Sequence, residues 1–154
     1  MILKDNVRDI VLEYIKDTDY QLIDLTIGND NRIVVEVDNY DGVDVDFCAK
    51  LTRHIENNLN RDIEDYELEV GSSGLTSPFK TLMQYQKNVG NNIEVLTRDG
   101  RKLFGQLVEA EPEHFSIDIE QKVKVEGKKR KETQIQTLTF GYDEVKYARY
   151  DLKI

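Results

Sequence analysis

The chain has 154 residues, 39% of them hydrophobic and 33% charged, enough for one domain or two small ones. Its formal net charge of −9 argues against general affinity for nucleic acid, DNA included, because neutralising phosphates takes a basic excess. Cys48 is the only cysteine, which excludes an intramolecular disulfide and a cysteine-based metal cluster, and no apolar run approaches the ~20 residues of a membrane helix.

The opening "MILKDNVRDIVLEYIKD" carries acids where a signal peptide has a basic flank, so a cytoplasmic location is expected. Leu3, Val7, Ile10, Val11, Tyr14 and Ile15 recur at three and four and predict a helix with one apolar stripe. "QLIDLTIG" predicts a strand with Ile23, Leu25 and Ile27 on one face. "NDNR" makes a polar turn, and "IVVEV" a second strand with Ile33, Val35 and Val37 inward. Cys48, Leu51, Ile55 and Leu59 share a face of a second helix, capped by Asp44 or Asp46, with Cys48 read as a small buried hydrophobe. Tyr66, Leu68 and Val70 supply a third strand. The order α-β-β-α-β suggests a sheet with helices packed on one face.

"GSSGLTSPFK" follows, where the periodicity changes. Gly71 and Gly74 relax the backbone there, so Gly71, Ser72, Gly74, Leu75 and Pro78 are read as a joint between two units. Ser77 before Pro78 predicts the cap and first residue of a short helix, with Phe79, Leu82, Met83 and Gln86 inward and Gly90 at its end. From Asn91 the pattern is strand after strand: "NNIEVLT", "KLFGQLVEAE", "HFSIDIEQKVKVE", "TQIQTLTF" and "VKYARYDLKI". Phe115, Ile117, Ile119, Val123 and Val125 alternate with polar residues, and Tyr150 and Leu152 share a face. Several short strands joined by turns such as "RDGR" suggest a small barrel. Charge divides the same way: Lys and Arg number 8 against 18 acids through Lys80, a net of −10, and 13 against 12 afterwards, a net of +1.

No motif points to catalysis, a cofactor or a metal. The Gly71–Gly74 spacing lacks the Gly-Lys pair of a phosphate loop. A nucleophile elbow centred on Ser73 would close on glycine at 75, where Leu75 stands, and neither His54 nor His114 sits in a triad-like setting. Around Gly42, a calcium loop would start at Val37 and end at Cys48, and neither is a ligand. The basic run "KVKVEGKKRKETQ" holds Lys128, Lys129, Arg130 and Lys131. It reads first as charged hairpin surface guarding strand edges, and second as a local grip on RNA backbone.

The words "DGVDVDFCAKLTRHIENNL", "YELEVGSSGLTSPF", "VGNNIEVLTRDGRKLFGQLVEAE" and "FGYDEVKYARYDL", in this order over nearly the whole chain, resemble the ribosome maturation factor RimP family. The sequence keeps Gly74, Leu75 and Pro78 of the family's central word and departs from it at Gly71, Ser73, Thr76 and Ser77. The resemblance implies an α+β chain: an N-terminal αββαβ domain over residues 1–76 and a C-terminal small Sm-like or SH3-like β-barrel over 77–154, with a leading short helix. It also implies a non-catalytic factor for maturation of the small (30S) ribosomal subunit. The expected partner is the immature subunit, through a basic ribosomal protein near the decoding centre, with 16S rRNA as a further contact. Candidate partner-binding residues are Asp99, Gly100 and Arg101, and Lys128, Lys129, Arg130 and Lys131 of the basic hairpin; Gly105 is read as structural at the barrel's first turn. The acidic balance fits steering toward a basic ribosomal protein, and a monomer is expected. The rival reading is an Sm-like RNA-binding module that acts as a homo-oligomer without ribosome specificity.

Overall fold

The computed structural model describes residues 2–124, 126–127 and 130–152. They form two compact units, Met1–Gly74 and Leu75–Ile154. Among the described residues no helix is long and apolar enough to cross a membrane.

The first unit has the order α1 (Lys4–Ile15), β1 (Gln21–Ile27), β2 (Arg32–Asp38), α2 (Val45–Asn58) and β3 (Glu67–Ser72). Val7, Val11 and Ile15 stand four apart on α1 and are buried, as the spacing predicts. Leu3 is not part of the stripe; it precedes the helix at the N-cap and is half exposed. β1 and β2 pair antiparallel, and β2 and β3 pair parallel, with α2 making the crossover that a parallel pair requires. Ile33, Val35 and Val37 are fully buried beneath the helices.

β1 keeps Leu25 and Ile27 on the expected face but not Ile23. The register slips between Leu22 and Asp24, a bulge at Ile23. The extra residue reverses the alternation, so Leu22, Leu25 and Ile27 pair with Val37, Val35 and Ile33 and join the core, while Ile23 does not. The turn between these strands passes through Asp30 and Asn31 at φ 61° and 55°, the left-handed region that Asp and Asn tolerate best after glycine. At α2 the structure chooses Asp44 as cap: its carboxylate accepts the Asp46 N–H at 2.9 Å. Leu51 and Ile55 are buried. Cys48 is half-buried, with its thiol pushed up first by burial and then by Asp44, and Leu59 lies just past the helix.

The second unit begins with a segment whose Phe79 N–H donates to the Ala148 carbonyl at 2.8 Å. That bond commits the chain to an extended path, so the helix predicted from Ser77-Pro78 starts later, as α3 (Leu82–Lys87) capped by Thr81. Its inward residues are Gln84 and Tyr85, not Gln86, which is exposed. The Tyr85 ring packs edge-on against Phe79 at 5.1 Å and Tyr142 at 4.8 Å, and burial pushes its phenol up to about 12.

Five strands follow: β4 (Asn92–Thr97), β5 (Lys102–Ala110), β6 (His114–Lys124), β7 (Lys131–Gly141) and β8 (Val145–Tyr150). They form one antiparallel sheet in the order β7-β6-β5-β4-β8. Among the described residues no β7–β8 pairing closes this sheet into a barrel. Ile93, Val95, Leu107, Phe115, Ile117, Ile119 and Ala148 fill one face. The alternation in β6 holds through Ile119; Val123 is half-buried outside that core, and Val125 lies outside the described residues. Tyr150 and Leu152, which alternation puts on one face, stay outside the core. β8 stops at Tyr150, and Leu152 is half exposed.

Candidate partner-binding surfaces

Gly71 and Ser72, read from the sequence as joint residues, are the last two residues of β3, paired with Glu36 and Val37. The units divide between Gly74 and Leu75. Leu75 and Pro78 are both exposed, Leu75 at 65%.

Asp99, Gly100 and Arg101 form the β4–β5 turn. Gly100 sits at φ +93°, where a side chain would be strained. Thr97 organises the turn: its hydroxyl donates to the Asp99 carboxylate and accepts the Arg101 N–H at 2.9 Å. The Arg101 guanidinium then returns to Asp99 at 3.2 Å. The Asp99 carboxyl is lowered, first by the Thr97 hydroxyl and next by Arg101. Both charges of the turn therefore answer each other. Of the basic hairpin, Lys131 opens β7 opposite Lys124, and Arg130 precedes it, both exposed. Lys128 and Lys129 lie outside the described residues.

Register across the second sheet assembles a surface that no sequence motif announces. Asn92 faces Gln106, Gln106 faces Asp118, and Asp118 faces Thr137. Two residues along, Glu94 faces Phe104 and Glu120 faces Ile135. A cavity of about 390 Å³ opens here, lined by Phe104, Asp118, Glu120, Ile135 and Asp151 among others, with no Lys or Arg among the described residues of its wall. Phe104 is 49% exposed and Ile135 68%. Asp151 has one carboxylate oxygen shielded from solvent and, among the described residues, without a hydrogen-bond partner. Alternation along β6 already put Asp118 and Glu120 on the polar face. Bringing them to Phe104 and Asp151 needed the register.

Beside the cavity, Glu94 is nearly buried. It accepts the Tyr147 hydroxyl at 2.6 Å and pairs with Arg149 at 2.7 Å, while Arg149 lies over the Tyr147 ring at 4.9 Å. Tyr147 is thus half of a polar network. The hydrogen bond from Tyr147 holds the Glu94 carboxyl below its usual range, with help from Arg149 and Lys102 and against the effect of burial. A carboxyl depressed on folding stabilises fully above its unfolded value of about 4.3, and that contribution is lost as pH falls toward the lower folded value. Glu94→Gln is therefore expected to flatten the decline in stability below about pH 4.3, read by urea unfolding across a pH series. An unchanged acid limb would count against the network.

Comparison with known proteins agrees along the length of the chain. The family model described as the RimP N-terminal domain matches residues 10–76. A protein of Porphyromonas gingivalis strain W83 named ribosome maturation factor RimP is 41% identical over 148 residues, covering 96% of this chain and 97% of the relative. A protein of the same name from Flavobacterium psychrophilum is 28% identical over 149 residues, 96% of each chain. One from Christiangramia forsetii is 35% identical over 101 residues, 65% of this chain. With identity at this level sustained across both units, the chain belongs to the ribosome maturation factor RimP family.

Proposed function

We propose that the second unit seats a basic, apolar-tipped segment of a ribosomal protein on its acid-lined cavity, and that the chain acts in maturation of the small (30S) subunit by binding, without catalysis. The observation that carries this reading is the cavity wall: Asp118, Glu120 and Asp151 surround exposed Phe104 and Ile135, and the described lining residues include no Lys or Arg. Apolar anchors ringed by one sign of charge give affinity from the anchors and orientation from the charge. The shielded oxygen of Asp151, without a partner among the described residues, is a place for a donor from the guest. Ribosomal proteins are rich in Lys and Arg, and a net charge of −9 favours their approach while opposing bare RNA.

Membership of the family supports the rest of the reading. The five-stranded sheet of the second unit is of the Sm-like kind, the chain acts as a cytoplasmic monomer, and Gly74, Leu75 and Pro78 let its two domains serve one particle. Release comes from competition or from maturation of the bound surface.

Glu120→Lys tests the docking face directly, because this side chain is exposed and its loss leaves the core intact. Binding to immature small subunits, measured by co-sedimentation at physiological ionic strength, is expected to weaken about tenfold or more, with a shallower salt dependence. Unchanged sedimentation with an unchanged melting temperature would refute this surface as the docking site.

A further inference from the structure

The second unit holds another cavity, of opposite character. It has a volume of about 450 Å³, lies along β8 and the segment entering α3, and is walled by Phe79, Lys80, Arg98, Tyr142, Lys146 and Tyr147 among others. None of its described lining residues bears a carboxylate, although the chain has 30 acidic residues against 21 basic ones. Of the acids that adjoin the lining in sequence, Asp99 pairs with Arg101 at 3.2 Å and the Glu144 carboxylate accepts the Gly141 N–H at 2.8 Å, while Glu111 and Glu113 flank Pro112 on the exposed side.

The cations are held differently. Arg98 is anchored by backbone, its N–H donating to the Glu144 carbonyl at 3.1 Å and its Nε to the Asp143 carbonyl at 2.6 Å. That fixes the guanidinium while its terminal nitrogens form no ion pair among the described residues. Lys146 is exposed on β8. Lys80 already holds an interaction of its own, so an anion would fall to Arg98 and Lys146.

A cavity of this size suits one small ligand, and its walls are aromatic as well as cationic. A bare anion would leave the rings unused, as would an acidic peptide. A nucleotide uses both, with phosphate on the cations and the base on an aromatic wall. We infer that this cavity receives one unstacked nucleotide of single-stranded RNA, its phosphate held between Arg98 and Lys146. The acidic remainder of the molecule then limits the contact to that site, so few phosphates are neutralised. The salt slope should be shallow, about −0.7 to −1.4 for one or two phosphates. The inference goes beyond the protein-docking face and shares no residue with it.

The test uses the full chain and a short fluorescein-labelled single-stranded RNA of mixed sequence, read by anisotropy. Lys146→Glu is expected to weaken binding about tenfold or more at an unchanged melting temperature, Arg98→Gln to do the same, and Glu120→Lys to leave it intact. The single strand should bind more tightly than its duplex, and polyglutamate should fail to displace it. Absence of binding by the unaltered chain, or full binding by Lys146→Glu, would overturn the site. Duplex binding as tight as the single strand, or displacement by polyglutamate, would reduce it to a general anion contact and overturn the RNA assignment. Failure here leaves the co-sedimentation result untouched, and the reverse also holds.

Discussion

Phe115→Ala is expected to remove about 3–5 kcal/mol from the second unit, a large part of the roughly 5–15 kcal/mol that holds a typical protein folded. Phe115 is fully buried, and its ring lies 5.1 Å from Tyr85, 5.7 Å from Phe140 and 5.5 Å from Tyr142. Truncation forfeits the transfer energy of the ring and leaves a cavity that three rigid aromatic neighbours cannot fill. The chain contains no tryptophan, so near-ultraviolet circular dichroism of Tyr85 and Tyr142 is the natural readout during urea unfolding. Phe115→Leu should cost distinctly less, because it returns most of the volume. A loss under about 1 kcal/mol for the alanine variant would mean that the aromatic cluster does not organise this core.

Gly105→Ala is the second large effect, and it runs opposite to the usual gain from replacing glycine in a strand. A Cβ at Gly105 would stand 2.5 Å from the Asp118 carbonyl oxygen and 3.0 Å from Ile119. The first contact is with the backbone of the adjacent strand, so relief requires β5 and β6 to separate. Overpacking of this kind costs about 1–3 kcal/mol. For a unit of this size, each kcal/mol lowers the melting temperature by roughly 4–8 °C. Gly71→Ala provides the contrast, since a Cβ there meets nothing within 4 Å and the strand is extended. Equal melting temperatures for the two variants would contradict the close approach at Gly105.

Where one physical rule decided the outcome, the sequence was enough. β2 alternates without interruption, so Ile33, Val35 and Val37 are buried as the pattern demands. The "RDGR" turn is legible because Gly100 supplies the positive φ it needs. Elsewhere a tertiary term intervened. A bulge at Ile23 leaves no local mark, yet it moves Leu22 into the core and Ile23 out. Ser77 and Thr81 are both plausible caps, and only the Phe79 bond to Ala148 selects Thr81. The candidate site was hidden for a related reason. Phe104, Glu120 and Asp151 lie far apart along the chain, and strand register alone gathers them into one acid-lined hollow. The basic run is legible because its charges are consecutive, whereas the cations of the second cavity, Arg98 and Lys146, are dispersed.

The most direct test of the account is photo-crosslinking from position 104, with a diazirine-bearing residue in place of Phe104, on immature small subunits. A crosslink to a Lys- and Arg-rich ribosomal protein, suppressed by Glu120→Lys, is the predicted result. Crosslinks to RNA alone, or none from position 104 while the chain still co-sediments with the subunit, would contradict it.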